Sequence, residues 1–266
     1  MTTAAFPVAG AVELPGIELA LPRAGAEQPR VRCRWLGRIG FDAALELQQA
    51  IAGEHPRFGD TLLLLEHDPV YTTGRGGQLA NLGILAQDAP GAAPLRRIGR
   101  GGDVTYHGPG QLVGYALIDV RARGGDVHRF LRDLESGVIA TLDALGVHAT
   151  RWPGRTGVWV GDAAAAATLD EDDMRRGRIR KIASIGIAVR RGIAMHGFAL
   201  NVALDLAPFS AIVPCGLGGV HMTSVERESP VPVPALAEVA ALAARHLGNV
   251  LSAGAARARR PAGTVP

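Results

Sequence analysis

Lysine is almost absent from this 266-residue chain: of 28 Lys and Arg residues, Lys181 is the only lysine. Arginine supplies charge but does not give up its proton, whereas burial or a neighbouring charge can tune a lysine towards neutrality. A solitary lysine therefore invites a chemical explanation, although a strong arginine bias with one survivor weighs equally on the count alone. Cysteine is scarce as well, with Cys33 and Cys215 only, which excludes a disulfide framework and fits a reducing, cytoplasmic setting. No apolar run approaches the roughly 18 residues that would span a bilayer, and the N-terminus lacks the charged-then-apolar secretory pattern. Aromatics at 5% leave little stacking material for nucleic acid. The formal net charge of +3 owes much to a solvated tail from Ala256 to Arg260, and a mildly basic surface suits an acidic protein partner. The scattered histidines, without a Cys-x-x-Cys pair or a His-Glu-x-x-His helix, give no metal site, and none of these features calls for a cofactor.

What is present is core material, with 47% hydrophobic residues, enough for one large domain. Residues 1–28 read as a loosely attached extension, 29–252 as a single catalytic domain and 253–266 as a disordered tail. Helical spacing of Phe41, Leu45 and Ile51 predicts a helix over 41–53, and Phe130, Leu134, Val138 and Leu142 predict another after the N-cap Asp126. A last helix is expected over 235–247. Apolar runs over 61–66, 111–120, 156–160, 182–189 and 195–202 read as strands, the last two joined as a hairpin through Arg190-Arg191-Gly192. Residues 162–180 form an excursion at a hairpin tip. The fold class is α/β of the α+β kind, a mixed, largely antiparallel sheet flanked by helices.

Three segments can carry chemistry. Arg100-Gly101-Gly102-Asp103-Val104-Thr105-Tyr106-His107 continues into Gly108-Pro109-Gly110; its glycines let backbone approach a ligand, and it reads as a loop lining a pocket, while a purely structural turn is the commoner outcome for such a run. It is neither a dinucleotide fingerprint nor a P-loop. Cys215 sits between Pro214 and Gly216, where its sulfur is approachable, although free cysteines are often inert core thiols. Cys33, in an alternating stretch, fits that inert description better. Lys181 opens a strand in which alternation puts Ile182, Ser184, Gly186 and Ala188 on one face, a small-residue strip with room for a thin ligand. Regular alternation points Lys181 to the opposite face, so contact with Cys215 requires a bulge or an edge position. His107 and His196 stand above the other histidines because they lie within these segments.

Taken together, Arg100 to Tyr115, Lys181 to Gly186, His196 to Val202 and Pro214 to Leu217 resemble the lipoyl(octanoyl) transferase family, in the family's order across roughly residues 59–225. The resemblance implies a fold like the catalytic domain of biotin and lipoate protein ligases. It implies Cys215 as acyl-thioester nucleophile and Lys181 as its activator, with the 100–107 loop, Ser184, Ile185, Gly186, Gly197, Phe198 and Ala199 binding substrate and His196 and Asn201 in support. It implies octanoyl-acyl carrier protein as donor, lipoyl domains of 2-oxoacid dehydrogenase E2 subunits and the glycine cleavage H protein as acceptors, and a cytoplasmic monomer without cofactor. The charged 162–180 excursion and the terminal extensions depart from the family pattern. Thiolate is the nucleophile in such chemistry, and a nearby ammonium stabilises it; thioester exchange followed by amide formation needs no ATP. The rival readings are an ATP-dependent lipoate or biotin ligase, a non-catalytic acyl-carrier-binding module, and a Cys-His hydrolase using His107 or His196.

Overall fold

The computed structural model describes residues 15–19, 31–78, 80–83, 93–161, 170–216 and 218–258, and leaves the side chains of 215 and 255–258 undescribed. Numbered along the chain, the main sheet runs in spatial order β1 (Ile17–Leu19), β2 (Arg32–Arg38), β3 (Thr61–Glu66), β7 (Gln111–Leu117), β11 (Ile193–Asn201), β10 (Ile179–Arg190), β9 (Arg155–Gly161) and β8 (Thr150–Trp152), with β12 (His221–Met222) also on β10. Only β2–β3 and β10–β12 are parallel pairs in it. A second sheet has the order β5 (Leu95–Arg97), β4 (Val70–Thr73), β6 (Val104–His107). The helices are α1 (Phe41–Gly53), α2 (His55–Phe58), α3 (Val127–Ala144), α4 (Glu171–Arg175), α5 (Val225–Glu228) and α6 (Leu236–Ala258). None of the described helices is long and apolar enough to cross a membrane.

The continuous apolar runs become the central strands because both of their faces are covered. On one face Leu62, Leu64, Leu112, Ala116 and Leu200 pack with Leu134, Val138 and Leu142 of α3 and Val239, Ala243 and Leu247 of α6. These two helices cross closely: a Cβ at Gly137 would stand 2.5 Å from Leu247 Cδ2. Asp126 caps α3 by accepting from the Arg129 amide at 2.9 Å. On the other face Leu63, Leu65, Val113, Tyr115 and Leu117 meet Ala44, Leu47 and Ile51 of α1. Each such fully buried aliphatic side chain contributes about 1.5–3 kcal/mol. The expected hairpin is present, closed by Arg191 and Gly192 at φ 51° and 84°, the left-handed pair that matches strand twist.

Several boundaries differ from the sequence reading. Residues 17–19, within the supposed loose extension, pair with β2 as an edge strand. The last helix runs on to Ala258, into the segment read as disordered tail; an extension of about three turns beyond Leu247 includes the buried Leu251, whose contacts the shorter periodic count missed. The 100–110 run is not all loop, since β6 occupies 104–107 and pairs with β4. Of the excursion, 162–169 lie outside the described residues, while Asp170 starts α4 with a capping box to Asp173.

Candidate active site

The small sheet and the glycine-rich segment lie over the α1-side face of β7, β11 and β10, leaving a cleft between them. Arg100, Gly102, Asp103, Val104, Thr105 and His107 line it from one side, and Ser184, Ile185, Gly186, His196, Gly197, Phe198 and Ala199 from the other. Five sequence candidates lie outside this lining: Lys181 and Cys215, described below, and Tyr106, Gly101 and Asn201. Tyr106 turns away to pack on Tyr71 at 5.1 Å and Phe209 at 5.9 Å, because neighbouring residues in a strand face opposite sides. Gly101 acts through its backbone, its amide donating to Ile187 O at 2.7 Å and so tying the loop to β10. Asn201 is a buried brace: its Nδ2 donates to Thr223 O at 2.9 Å and its Oδ1 accepts from Gln111 Nε2 at 2.9 Å.

One hydrogen-bond chain fixes the roof of the cleft. Arg100 donates to Thr72 Oγ1 at 2.9 Å and to Thr72 O at 2.8 Å. Thr72 Oγ1 and His107 Nε2 are 3.1 Å apart, and His107 Nδ1 is 2.8 Å from Gln111 Oε1. The Gln111 amide nitrogen donates to Tyr106 O and Asn201 Oδ1, so Oε1 must accept, which assigns the proton to His107 Nδ1 and makes Nε2 the acceptor from the threonine hydroxyl. Both ring nitrogens are thereby engaged in holding the loop. Burial, with the Arg100 charge and the neighbouring rings of His67 and His196 opposing a second positive charge there, pushes the His107 pKa down to about 3. Burial also lowers His67 and His196 to about 4, with Arg100 and Arg190 helping at His196. Burial raises the Tyr115 hydroxyl well above its ordinary value. These groups form a neutral polar wall, in which His67 Nε2 lies 2.7 Å from Tyr115 OH and Nδ1 lies 2.8 Å from Ile39 O.

Lys181 is 2% exposed. The register of β10 against β9 breaks between Lys181 and Ala183, and Ile182 and Ala183 both join the layer under α3 and α6. This is the bulge that contact with the cleft side requires: one extra residue returns Lys181 to the face of Ser184 and Gly186. It corrects the expectation that Ile182 shares their face. Lys181 Nζ stands 5.0 Å over the Trp159 ring, and its carbonyl accepts from Thr223 N at 2.9 Å.

Cys215 occupies a short 3-10 turn, Pro214–Gly216; its side chain and Leu217 lie outside the described residues. The turn rests against the cleft wall. A Cβ at Gly216, whose φ is 66°, would stand 2.8 Å from Asp103 Oδ2 and 3.1 Å from Asn81 Nδ2. Asp103 is itself fixed by Asn81 and by the Val104 amide at 2.7 Å, and Asn81 O accepts from Val213 N at 2.9 Å. Cys33, by contrast, is 1% exposed, and burial, with the Glu18 charge adding to it, pushes its thiol up to about 12. It is an inert core thiol.

Sequence reasoning missed Phe41, Ile98, Val113 and Tyr115, which complete the lining, and His67 behind them. Tyr115 ends the motif block from Arg100, a usable signal. Phe41 reads as ordinary core from its helical spacing, and nothing in the sequence ties Trp159 to Lys181.

A mixed sheet with a glycine-rich roof over a strip of small side chains defines an α/β domain with a cleft against its strands. The family model for the lipoyl protein ligase A/B catalytic domain matches residues 41–247, and the chain belongs to that family. It is 48% identical over 195 residues to an octanoyltransferase of Geotalea uraniireducens, spanning 73% of this chain and 80% of the relative. With an octanoyltransferase of Acidobacterium capsulatum it shares 44% identity over 229 residues, 81% of this chain and 87% of the relative. Among solved structures, lipoate-protein ligase A bound with ATP superimposes with a TM-score of 0.58 at 21% identity, covering 84% and 85% of the two chains. The bipartite lipoate protein ligase of Thermoplasma acidophilum gives 0.59 at 19%, covering 84% of each. These structures share the fold.

Proposed function

We propose that the protein carries an octanoyl group from octanoyl-acyl carrier protein to a lysine of lipoyl domains, in 2-oxoacid dehydrogenase E2 subunits and the glycine cleavage H protein, through a thioester on Cys215. The chain is an acyltransferase, and octanoyl transfer in protein lipoylation follows from its identity of 41–48% to octanoyltransferases. The observation that carries the proposed chemistry is the sole lysine, buried and returned by a bulge to the face of the small-residue cleft. In the first half-reaction the Cys215 sulfur attacks the donor thioester carbonyl, its proton passes to Lys181, and the carrier thiol departs with that proton. In the second, Lys181 takes a proton from the acceptor ammonium and releases it to solvent, the amine attacks the Cys215 thioester, and as the amide forms the second proton of the nitrogen passes through Lys181 to the departing Cys215 thiolate. The small side chains of Ser184, Gly186, Gly197 and Ala199 leave the acyl chain its space, and the Arg100 to His107 segment closes over it. The protein acts as a cytoplasmic monomer in this reading.

Intact-protein mass after exposure to octanoyl-carrier thioester is expected to rise by one octanoyl group, which hydroxylamine removes. Persistence of a hydroxylamine-labile adduct in Cys215→Ala would falsify the nucleophile. Lys181→Arg keeps the charge while removing a usable base, and is expected to slow transfer at least a hundredfold. ATP-dependent turnover of free octanoate would instead point to a ligase.

A further inference from the structure

Lys181 is held by more than its own strand. Gly157 on β9 has φ 124°, and a Cβ there would stand 2.8 Å from the Ala183 carbonyl oxygen, 2.8 Å from Lys181 Cε and 3.3 Å from Nζ. Such a backbone conformation suits glycine alone, and the missing side chain lets the lysine stem lie against bare backbone. Two residues on, and so on the same side of the strand, the fully buried Trp159 offers its ring face to the ammonium at 5.0 Å, an attractive geometry for a cation. The Gly157 amide in turn donates to Glu135 Oε1 at 3.1 Å. Glu135 sits on α3 with no exposed surface, and its Oε2 takes Arg132 at 2.7 Å and Arg151 at 3.0 Å. A carboxylate without solvent is tolerated only when its charge is balanced and its oxygens are hydrogen bonded; here two guanidiniums serve one oxygen while the other is aimed at the backbone beneath Lys181.

We infer that Gly157 and Glu135 are positioning residues that aim the Lys181 amine, Gly157 by vacating the space its stem occupies and Glu135 by fixing the Gly157 amide so that the hollow keeps its shape. Neither touches substrate. The inference rests on the proposal that Lys181 serves Cys215. Displacing a reacting group by about 1 Å can cost about 10²-fold in rate, and a Cβ at Gly157 meets both the lysine stem and the Ala183 carbonyl two residues further along the same strand, so that the lysine or the backbone that carries it must shift.

The test is single-turnover acylation of the full-length protein by octanoyl-carrier thioester, read by intact mass, alongside the rate at which iodoacetamide alkylates Cys215. Gly157→Ala is expected to lower both rates by about 10²-fold, with the KM for donor unchanged within about twofold. Glu135→Leu is expected to lower them about tenfold, while Glu135→Gln, which retains an oxygen acceptor for the Gly157 amide, restores most of the loss. Circular dichroism and thermal melting establish that each variant is folded; should Gly157→Ala not fold, the Glu135→Leu and Glu135→Gln pair decides. Wild-type rates in a folded Gly157→Ala or Glu135→Leu variant, or losses confined to KM, overturn the inference while leaving the thioester route intact. Failure of the wild-type protein to acylate at Cys215 overturns the route itself, and with it any role for the lysine seat.

Discussion

Strands β10 and β11 present two surfaces of opposite construction. Towards α3 and α6 they turn Ala183, Ile187 and Leu200, sealed into the main apolar layer. Towards the cleft they turn the small residues Ser184, Gly186, Gly197 and Ala199, with Ile185, His196 and Phe198 completing their share of the lining, beside the buried His67, His107 and Tyr115. Volume on one side and its omission on the other depend on each other. An open cleft forfeits the dispersion contacts its lining would otherwise make, so the opposite face must hold the strands in place with close-packed aliphatic side chains. The bulge at Lys181 is where the chain crosses from one regime to the other.

The largest effect expected from this contrast is acid lability. His67, His107 and His196 are held neutral by burial, with folded pKa values of about 4, about 3 and about 4, against 6.5 when unperturbed. Above pH 6.5 neither state binds these protons, so stability is flat; below it the unfolded chain takes up protons that the folded chain refuses, and stability falls until the folded groups titrate near pH 3–4. Each histidine contributes a slope of about 1.4 kcal/mol per pH unit at most. Urea unfolding between pH 7 and 4.5 should therefore lose several kcal/mol, and a slope below that of a single proton would refute the neutral wall. Next is Leu200→Ala on the packed face, expected to cost about 2–5 kcal/mol while leaving the KM for donor within twofold at temperatures where the variant is folded. Gly186→Ala on the cleft face should do the reverse. Its Cβ would stand 2.7 Å from the Gly101 carbonyl oxygen and 3.3 Å from Arg100 Cδ, lifting the loop from the strand, so the KM should rise about tenfold, equivalent to about 1.4 kcal/mol, with a smaller change in melting. Equal damage to stability from the two variants would erase the distinction between the faces.

Much of the packed face was legible in the sequence because periodicity records burial. Helix 41–53, strand 61–66 and the Asp126 cap appear where spacing and capping residues predict them. The cleft face was legible only as motif blocks. Small residues report the absence of contact, and nothing in a strand pattern distinguishes a groove from close helix packing. The bulge after Lys181 left no local signature, since Lys181-Ile182-Ala183 reads as regular strand and its register is set by partners in β9 and β12. Strand β6 was hidden by flanking glycines, and its pairing with β4 spans more than thirty positions, as in Thr72 opposite Thr105. Tyr106 was lost to the site for the same reason: in a loop it could face the ligand, in a strand its neighbours do. His67 escaped the sequence reading, because full burial of a polar residue depends on a tyrosine 48 positions away.

The smallest effect tests whether the two faces communicate. Asp126 caps α3 by accepting from the Arg129 amide, and Asp126→Ala should cost about 1 kcal/mol by leaving that donor to solvent. The loss belongs to the first turn of α3, whereas Glu135 lies more than two turns further along, pinned by Arg132, Arg151 and Gly157. Fraying at the cap should therefore stop short of the lysine seat, lowering the melting temperature without changing the acylation rate of Cys215. An acylation rate that fell more than about twofold in the folded variant would mean that α3 transmits its position through Glu135 as a rigid body, which would make the whole helix, and not its buried carboxylate alone, part of what aims Lys181.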